Sequence, residues 1–124
     1  MRWIVDAMNV IGTRPDGWWK DRHAAMVRLV DQLERFVAAT GDDVTVVFER
    51  PPSPPIKSPV VEIACAPKAR PNAADDEIVR LLKEDPDPEE VRVVTSDRAL
   101  ADQARFLNAT IEPAEAFRRE IEQT

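Results

Sequence analysis

Short apolar runs rich in β-branched residues alternate along this chain with stretches of helical periodicity. Three of these runs have the composition of buried strands, at residues 3–5, 44–48 and 91–95. Apolar residues recur at helical spacing in three stretches, at about residues 19–39, 73–83 and 98–107. Strands that alternate with helices predict a parallel sheet with right-handed crossovers and helices on both faces. We therefore expect an α/β fold, a three-layer α/β/α sandwich with a mainly parallel central sheet.

The remaining segments fit the same plan. Seven of the eleven prolines lie between residues 51 and 71, which predicts an extended segment with a short strand at about residues 60–64. Gly12 and Gly17 mark a loop after the first strand. Residues 110–111 are a candidate last strand, and Pro113 is expected to open a terminal helix. No internal repeat is evident, so residues 1–124 are predicted to form one domain.

The composition favours a soluble protein. A hydrophobic content of 44% and a charged content of 32% are ordinary for a folded domain. No apolar run approaches the roughly 20 residues that span a bilayer. The N-terminus reaches Asp6 after three apolar residues, unlike a secretory signal, and the single Cys65 can form no internal disulfide. We expect a cytoplasmic protein without membrane association.

The charge is unevenly distributed along the chain. The formal net charge of −6 opposes nonspecific binding to nucleic acid. Residues 1–72 carry 10 Lys and Arg against 9 Asp and Glu, whereas residues 73–124 carry 7 against 14. A polyanionic partner would therefore need metal ions or a local basic surface. The basic residues of the Pro-rich stretch are Arg50, Lys57, Lys68 and Arg70.

Several acids are expected at one edge of the sheet, where open parallel sheets bind their ligands. Asp6 ends the first strand, Asp97 follows the strand at 91–95, and Asp75 lies in the first turn of a helix. Glu49 and Asp76 are further candidates. Taken singly, Asp97 is a helix cap and Asp75 a favourable charge at a helix dipole. Together at one edge, the acids would repel one another unless a cation lay among them.

Three segments resemble motifs of NYN domains, the PIN-like group that includes the YacP-like proteins. Val5-Asp6-Ala7-Met8-Asn9-Val10-Ile11 is similar to the family's opening strand and turn, a close variant of Asp-Gly-Tyr-Asn-Val-Ile. Ala74-Asp75-Asp76-Glu77-Ile78 resembles its Ala-Asp-x-x-Ile helix start, and Val94-Thr95-Ser96-Asp97-Arg98 resembles its Thr-Ser-Asp element. The motifs occur in the family's order, and the strand–helix pattern agrees along nearly the whole chain.

The resemblance implies a PIN-like, metal-dependent endoribonuclease. In it Asp6, Asp75 and Asp97 would hold one or two Mg²⁺ or Mn²⁺ ions, with Asn9 beside them and Ser96 in the adjoining turn. Metal-activated water would then cleave the phosphodiester bond to leave 5′-phosphate and 3′-hydroxyl ends. Two departures favour an alternative, a catalytically weak or inactive domain that binds RNA or protein. YacP-like proteins tend to have Phe-Asp where this chain has Phe48-Glu49, and the chain is shorter than the typical member.

The expected partner is single-stranded RNA, although DNA, and association with the ribosome or mRNA, are left open. The basic residues of the Pro-rich stretch, together with Arg98, would contact phosphates, with an inverse salt dependence. Trp18 and Trp19 can stack on bases, or one can pack into the core and the other on the loop. His23 is predicted to be a surface residue.

Other metal-using classes fit less well. A receiver-type phosphoacceptor should carry a lysine after a late strand, and Thr95-Ser96-Asp97-Arg98 has none. A related phosphatase would want a second aspartate two residues after Asp6, where the chain has Met8. The lack of a Cys–His ligand set argues against zinc.

Overall fold

The computed structural model describes residues 1–67 and 72–124. Its strands are β1 (Arg2–Asp6), β2 (Asp43–Phe48), β3 (Val61–Cys65), β4 (Val91–Val94) and β5 (Thr110–Glu112). Its α-helices are α1 (Ala7–Ile11), α2 (Arg22–Thr40), α3 (Ala73–Glu84), α4 (Arg98–Phe106) and α5 (Ala114–Glu122). Every predicted strand and helix is present, and the short helix α1 is an element that the sequence pattern did not predict.

The five strands form one sheet in the order β3-β2-β1-β4-β5, and all four strand pairs are parallel. The chain builds outward from β1 through β2 to β3 and then returns to place β4 on the other side of β1. The strand order therefore reverses between β1 and β4, where open parallel sheets have their ligand crevice. Val5 pairs with Val94, so β1 and β4 end side by side at this crevice.

The two faces of the sheet carry separate cores. Alternate residues of a strand point to opposite faces. Trp3 and Val5 pack with residues of α1, α2 and α5, whereas Ile4 packs with residues of α3 and α4. The predicted three-layer sandwich is confirmed.

This alternation fixes the position of Asp6. Two residues after Ile4, it lies on the face covered by α3 and α4, at the carboxyl end of β1. Crossover helices run antiparallel to the strands they connect, so α3 and α4 both begin at this edge. The first turns of two helices thus surround the end of β1.

Local signals set the helix bounds. The side chain of Asp21 accepts a hydrogen bond from the Ala24 N–H at the start of α2. Gly41, with φ of 73°, ends the same helix in the left-handed region and donates to the Val37 carbonyl. Pro113 is the cap that precedes α5 and not its first helical residue. Among the described residues, no helix has the length and apolarity needed to cross a membrane.

An aromatic cluster stabilises the face with α1, α2 and α5. The ring of Phe117 lies 5.1 Å from Trp3 and 5.4 Å from Phe36, measured between centroids, and Phe117 is fully buried. We expect Phe117→Ala to lower the free energy of unfolding by about 3–5 kcal/mol, because it removes buried surface and leaves a cavity. Phe106→Ala is the matched control, since that ring is 87% exposed, and should change stability by less than about 0.5 kcal/mol. Urea unfolding measures both; equal effects would contradict this description of the core.

Candidate functional site

Asp6 is a buried acid at the reversal point of the sheet. It is 5% exposed, and its Oδ2 accepts a hydrogen bond of 3.1 Å from the Thr95 hydroxyl. Burial, followed by the negative charge of Asp75, raises the pKa of Asp6 to about 7, and the bond from Thr95 opposes the rise only in part. The charge of Asp97 adds a smaller upward shift. This carboxylate is held in a place where a negative charge is unfavourable without a cation.

Thr95 connects the ends of the two central strands. Its buried hydroxyl donates to Asp6 and also accepts the backbone N–H of Asp97 at 3.1 Å. A hydroxyl can do both at once because it has one donor and two acceptor positions. Thr95 lies within the Thr-Ser-Asp motif, but the sequence alone predicted no role for it. The sequence does contain a signal for such a role, because a hydroxyl residue, Thr95, ends the apolar run where another valine would be expected.

Asp97 caps α4 and also belongs to the acidic edge. Its Oδ1 accepts the Leu100 N–H at 2.9 Å, which is the expected capping bond. That bond uses one of the two carboxylate oxygens. Capping and contact with a cation are therefore compatible, and the two interpretations of Asp97 do not compete.

Asp75 brings the first turn of α3 to the same place. Burial, followed by the charges of Asp97, Asp76 and Glu49, raises the pKa of Asp75 to about 6. Asp76 and Glu49 are both exposed. The structure thus brings Asp6, Asp75 and Asp97 within electrostatic range of one another, and the charges of Asp76 and Glu49 act on Asp75. We call these five residues the acidic cluster.

Asn9 and Ser96 fix the turn between β4 and α4. The Asn9 Oδ1 accepts the Ser96 N–H at 2.8 Å. The Ser96 Oγ in turn accepts the Ala114 N–H at 3.0 Å, at the start of α5. These bonds tie the turn that carries Asp97 to α1 on one side and to α5 on the other.

The basic candidates are more widely spread. Arg50 follows Glu49 and lines a cavity beside the acidic cluster, and Arg98 is the exposed first residue of α4. Lys57 is exposed within the Pro-rich segment. Lys68 and Arg70 lie outside the described residues. Of the predicted basic residues, Arg50 and Arg98 therefore directly follow acids of the cluster in the chain.

The tryptophans differ in exposure. Trp18 is half-buried and packs against the core on the α2 face, while Trp19 is 56% exposed. The Arg22 guanidinium carbon lies 5.4 Å from the centroid of the Trp18 ring, a cation–π contact. His23, predicted on the surface, is half-buried and lines the same cavity as Arg50. Neither a role for Arg22 nor the cavity was predicted from the sequence.

The acidic cluster suits a hard cation in its donor chemistry. Within residues 1–67 and 72–124, no three Asp, Glu, His or Cys side chains are arranged to hold a metal ion directly. Mg²⁺ does not require such a group, because it keeps several waters and binds through one or two carboxylates plus substrate phosphate. The raised pKa of buried Asp6 is the feature that a nearby cation would relieve. Asp6, Asp75 and Asp97 are the residues that could hold one.

The protein is thus an α/β domain with one all-parallel sheet, helices on both faces, and acids gathered at the point where the strand order reverses. The chain belongs to the family of YacP-like NYN domains, whose model matches residues 3–124. The crystal structure of Rae1 (YacP) from Bacillus subtilis is similar, with a TM-score of 0.80 and 24% identity over 99% of this chain and 74% of that one. The crystal structure of its W164L mutant has a TM-score of 0.82 and 23% identity, over 98% of this chain and 75% of that one. These likenesses show the fold. No curated protein sequence matches the chain.

The raised pKa values predict how the stability of the metal-free protein depends on pH. Between about pH 4 and 7 the folded protein binds more protons than the unfolded one, so stability falls as pH rises through this range. Asp6 alone should account for a loss on the order of a few kcal/mol, and the more exposed Asp75 should add less. Urea unfolding in chelator at a series of pH values measures the slope.

Asp6→Asn is the matched variant for this measurement. Its amide does not titrate, so most of the slope should disappear. Asp31→Asn, at an exposed position on α2, should leave the slope unchanged. Stability that rises between pH 4 and 7 in the metal-free wild type would contradict the described environment of Asp6.

Proposed function

We propose that this domain is a metal-dependent endoribonuclease that hydrolyses phosphodiester bonds in single-stranded RNA. The observation that carries the proposal is the burial of Asp6 at the sheet reversal, with the charges of Asp75 and Asp97 acting on it. Membership of the YacP-like NYN family supports the reaction class. We also propose that the protein acts in the cytoplasm, with association with mRNA or the ribosome as a further hypothesis.

In this proposal Asp6, Asp75 and Asp97 hold Mg²⁺ or Mn²⁺. When bound, the cation would supply a water of lowered pKa and positive charge for the phosphate in its transition state. The protein's own hydrogen bonds hold the carboxylates in position. Thr95 holds Asp6 from one side, and the cap on α4 holds Asp97, so both carboxylates are oriented before substrate arrives. Preorganised groups of this kind need little rearrangement during the reaction.

Asp75 and Glu49 lie on the accessible side of the cluster. Asp75 is only half-buried and Glu49 is exposed, so substrate phosphate and cation can reach them from solvent. The charge of Glu49 acts on Asp75 even though its side chain is longer than the aspartate expected there. Asp76 and Glu49 therefore have supporting roles in the proposal, as do Asn9 and Ser96 through the turn.

An RNA substrate needs positively charged side chains that bind the phosphates on either side of the cleaved bond. Arg50 and Arg98 follow Glu49 and Asp97 directly in the chain, which supports a backbone path across the acidic cluster. Lys57, Lys68 and Arg70 are proposed to extend this path. The Trp18 ring is half-buried against the core and contacts the Arg22 guanidinium. We therefore propose that Trp18 contributes to RNA binding by holding Arg22 in place.

A domain that binds RNA without cleaving it is the second candidate. Two observations favour it: a glutamate stands at position 49, and the described residues include no ready-made group of three metal ligands. Such a domain would retain the fold and the basic residues. It would bind RNA with or without a divalent cation.

Cleavage of labelled single-stranded RNA in Mn²⁺ separates the two candidates. We expect Asp6→Asn and Asp97→Asn each to lower the single-turnover rate by at least about 100-fold, because each removes a charge that holds the cation. Asparagine caps helices as well as aspartate does, so Asp97→Asn should preserve α4. Asp102→Asn, at an exposed position on the same helix, should change the rate by less than about twofold.

Chelator should abolish cleavage by the wild type. Full activity in the Asp6→Asn/Asp97→Asn double variant would reject the site. Tight RNA binding by the wild type with no cleavage in Mn²⁺ or Mg²⁺ would instead identify the binding domain.

A further inference from the structure

A cavity of about 340 Å³ lies beside the acidic cluster. It is formed by α1, the first turns of α2 and the Pro-rich segment that follows β2. Its side chains come from Met8, Arg22, His23, Met26, Glu49 and Arg50, with residues 51–53 closing one wall. We propose that this cavity binds one nucleotide of the RNA strand next to the scissile phosphate, an inference that rests on the proposed function.

The cavity borders the acidic cluster through Glu49. Glu49 lines it and also acts electrostatically on Asp75. Met8 follows Asp6 by two residues at the start of α1. A strand whose phosphate lies at the cluster would therefore bring the adjoining nucleotide next to the cavity wall that contains Glu49.

The charges at the rim suit a phosphodiester backbone. Arg22 and Arg50 are exposed cations, and among the described residues that line the cavity Glu49 is the one carboxylate. The net charge of these three residues is thus positive, opposite in sign to the charge of the acidic cluster and of the whole chain. A phosphate would be attracted to Arg50 and kept away from Glu49.

The interior suits a planar base. Met8 and Met26 are half-buried and pack against the core, and methionine adapts its shape to aromatic partners. The contact with Trp18 holds the Arg22 guanidinium on one side, and bases stack on guanidinium planes as well as on aromatic rings. The volume lies at the lower end of the roughly 300–1,000 Å³ usual for small-ligand sites, enough for one nucleotide and too little for a duplex.

The walls of the cavity are largely preformed. His23 Nε2 lies 2.8 Å from the Pro54 carbonyl oxygen. A carbonyl oxygen cannot donate, so this nitrogen is the donor. The bond ties α2 to the Pro-rich wall, where prolines restrict the backbone further. Little ordering is then needed when a nucleotide binds.

RNA binding by the cleavage-deficient Asp6→Asn/Asp97→Asn double variant tests the cavity directly. Fluorescence anisotropy with a short labelled single-stranded RNA gives the Kd at several salt concentrations. Adding Arg22→Ala or Arg50→Ala should weaken binding about 5–10-fold, and the Arg50→Ala salt slope should fall by about one. Arg35→Ala is the matched control, because it is exposed on the same helix about 20 Å from Arg22, and it should bind like the parent.

An abasic oligomer of the same length distinguishes a base from a backbone contact. The Arg22→Ala penalty should largely vanish on the abasic oligomer, whereas the Arg50→Ala penalty should persist. Equal Arg22→Ala penalties on both oligomers would overturn the base site. Binding that neither arginine substitution weakens, or no binding by the double variant, would overturn the cavity as an RNA site.

The outcome for the cavity is separable from that of the proposed function. Cleavage by the wild type with no effect of Arg22→Ala or Arg50→Ala on binding would reject the cavity alone. Arginine-dependent binding by a wild type that never cleaves would support the cavity and reject the nuclease.

Discussion

The carboxylate of Asp6 is placed by the sheet in surroundings that disfavour its charge. Period-two alternation along β1 turns Asp6 towards α3 and α4, and the reversal of strand order puts β4 beside it. The same geometry brings the first turns of two helices, with Asp75 and Asp97, to that edge. The site is therefore a consequence of topology, because side chains far apart in the chain meet only where these parallel strands end together.

A small number of hydrogen bonds hold the mutually repelling carboxylates of Asp6 and Asp97 in place. Thr95 donates to Asp6, Asp97 is occupied in part by the start of α4, and Asn9 and Ser96 secure the intervening turn. These bonds orient the acids, but the raised pKa values of Asp6 and Asp75 show that they do not neutralise them. A divalent cation would do so, and the proposed ribonuclease chemistry requires one.

The sequence was sufficient for the strands, most helices and the candidate acids, because apolar periodicity and strand-end positions are local properties. It did not reveal α1, which is short and directly continues β1. It also missed the double role of the Thr95 hydroxyl, since one side chain's partners depend on the distance between two loops. The cavity near Arg22 was out of reach for the same reason: helical periodicity gives no information on how the Pro-rich segment packs against α2.

A crystal structure of the protein soaked in Mn²⁺, with anomalous scattering recorded, would show whether the acids at the end of β1 bind a divalent cation. We expect a manganese peak at the carboxyl end of β1, with carboxylate oxygens from at least two of Asp6, Asp75 and Asp97 as ligands or bound through its waters. A saturating soak that leaves this edge without manganese, or that binds the ion only elsewhere, would contradict it.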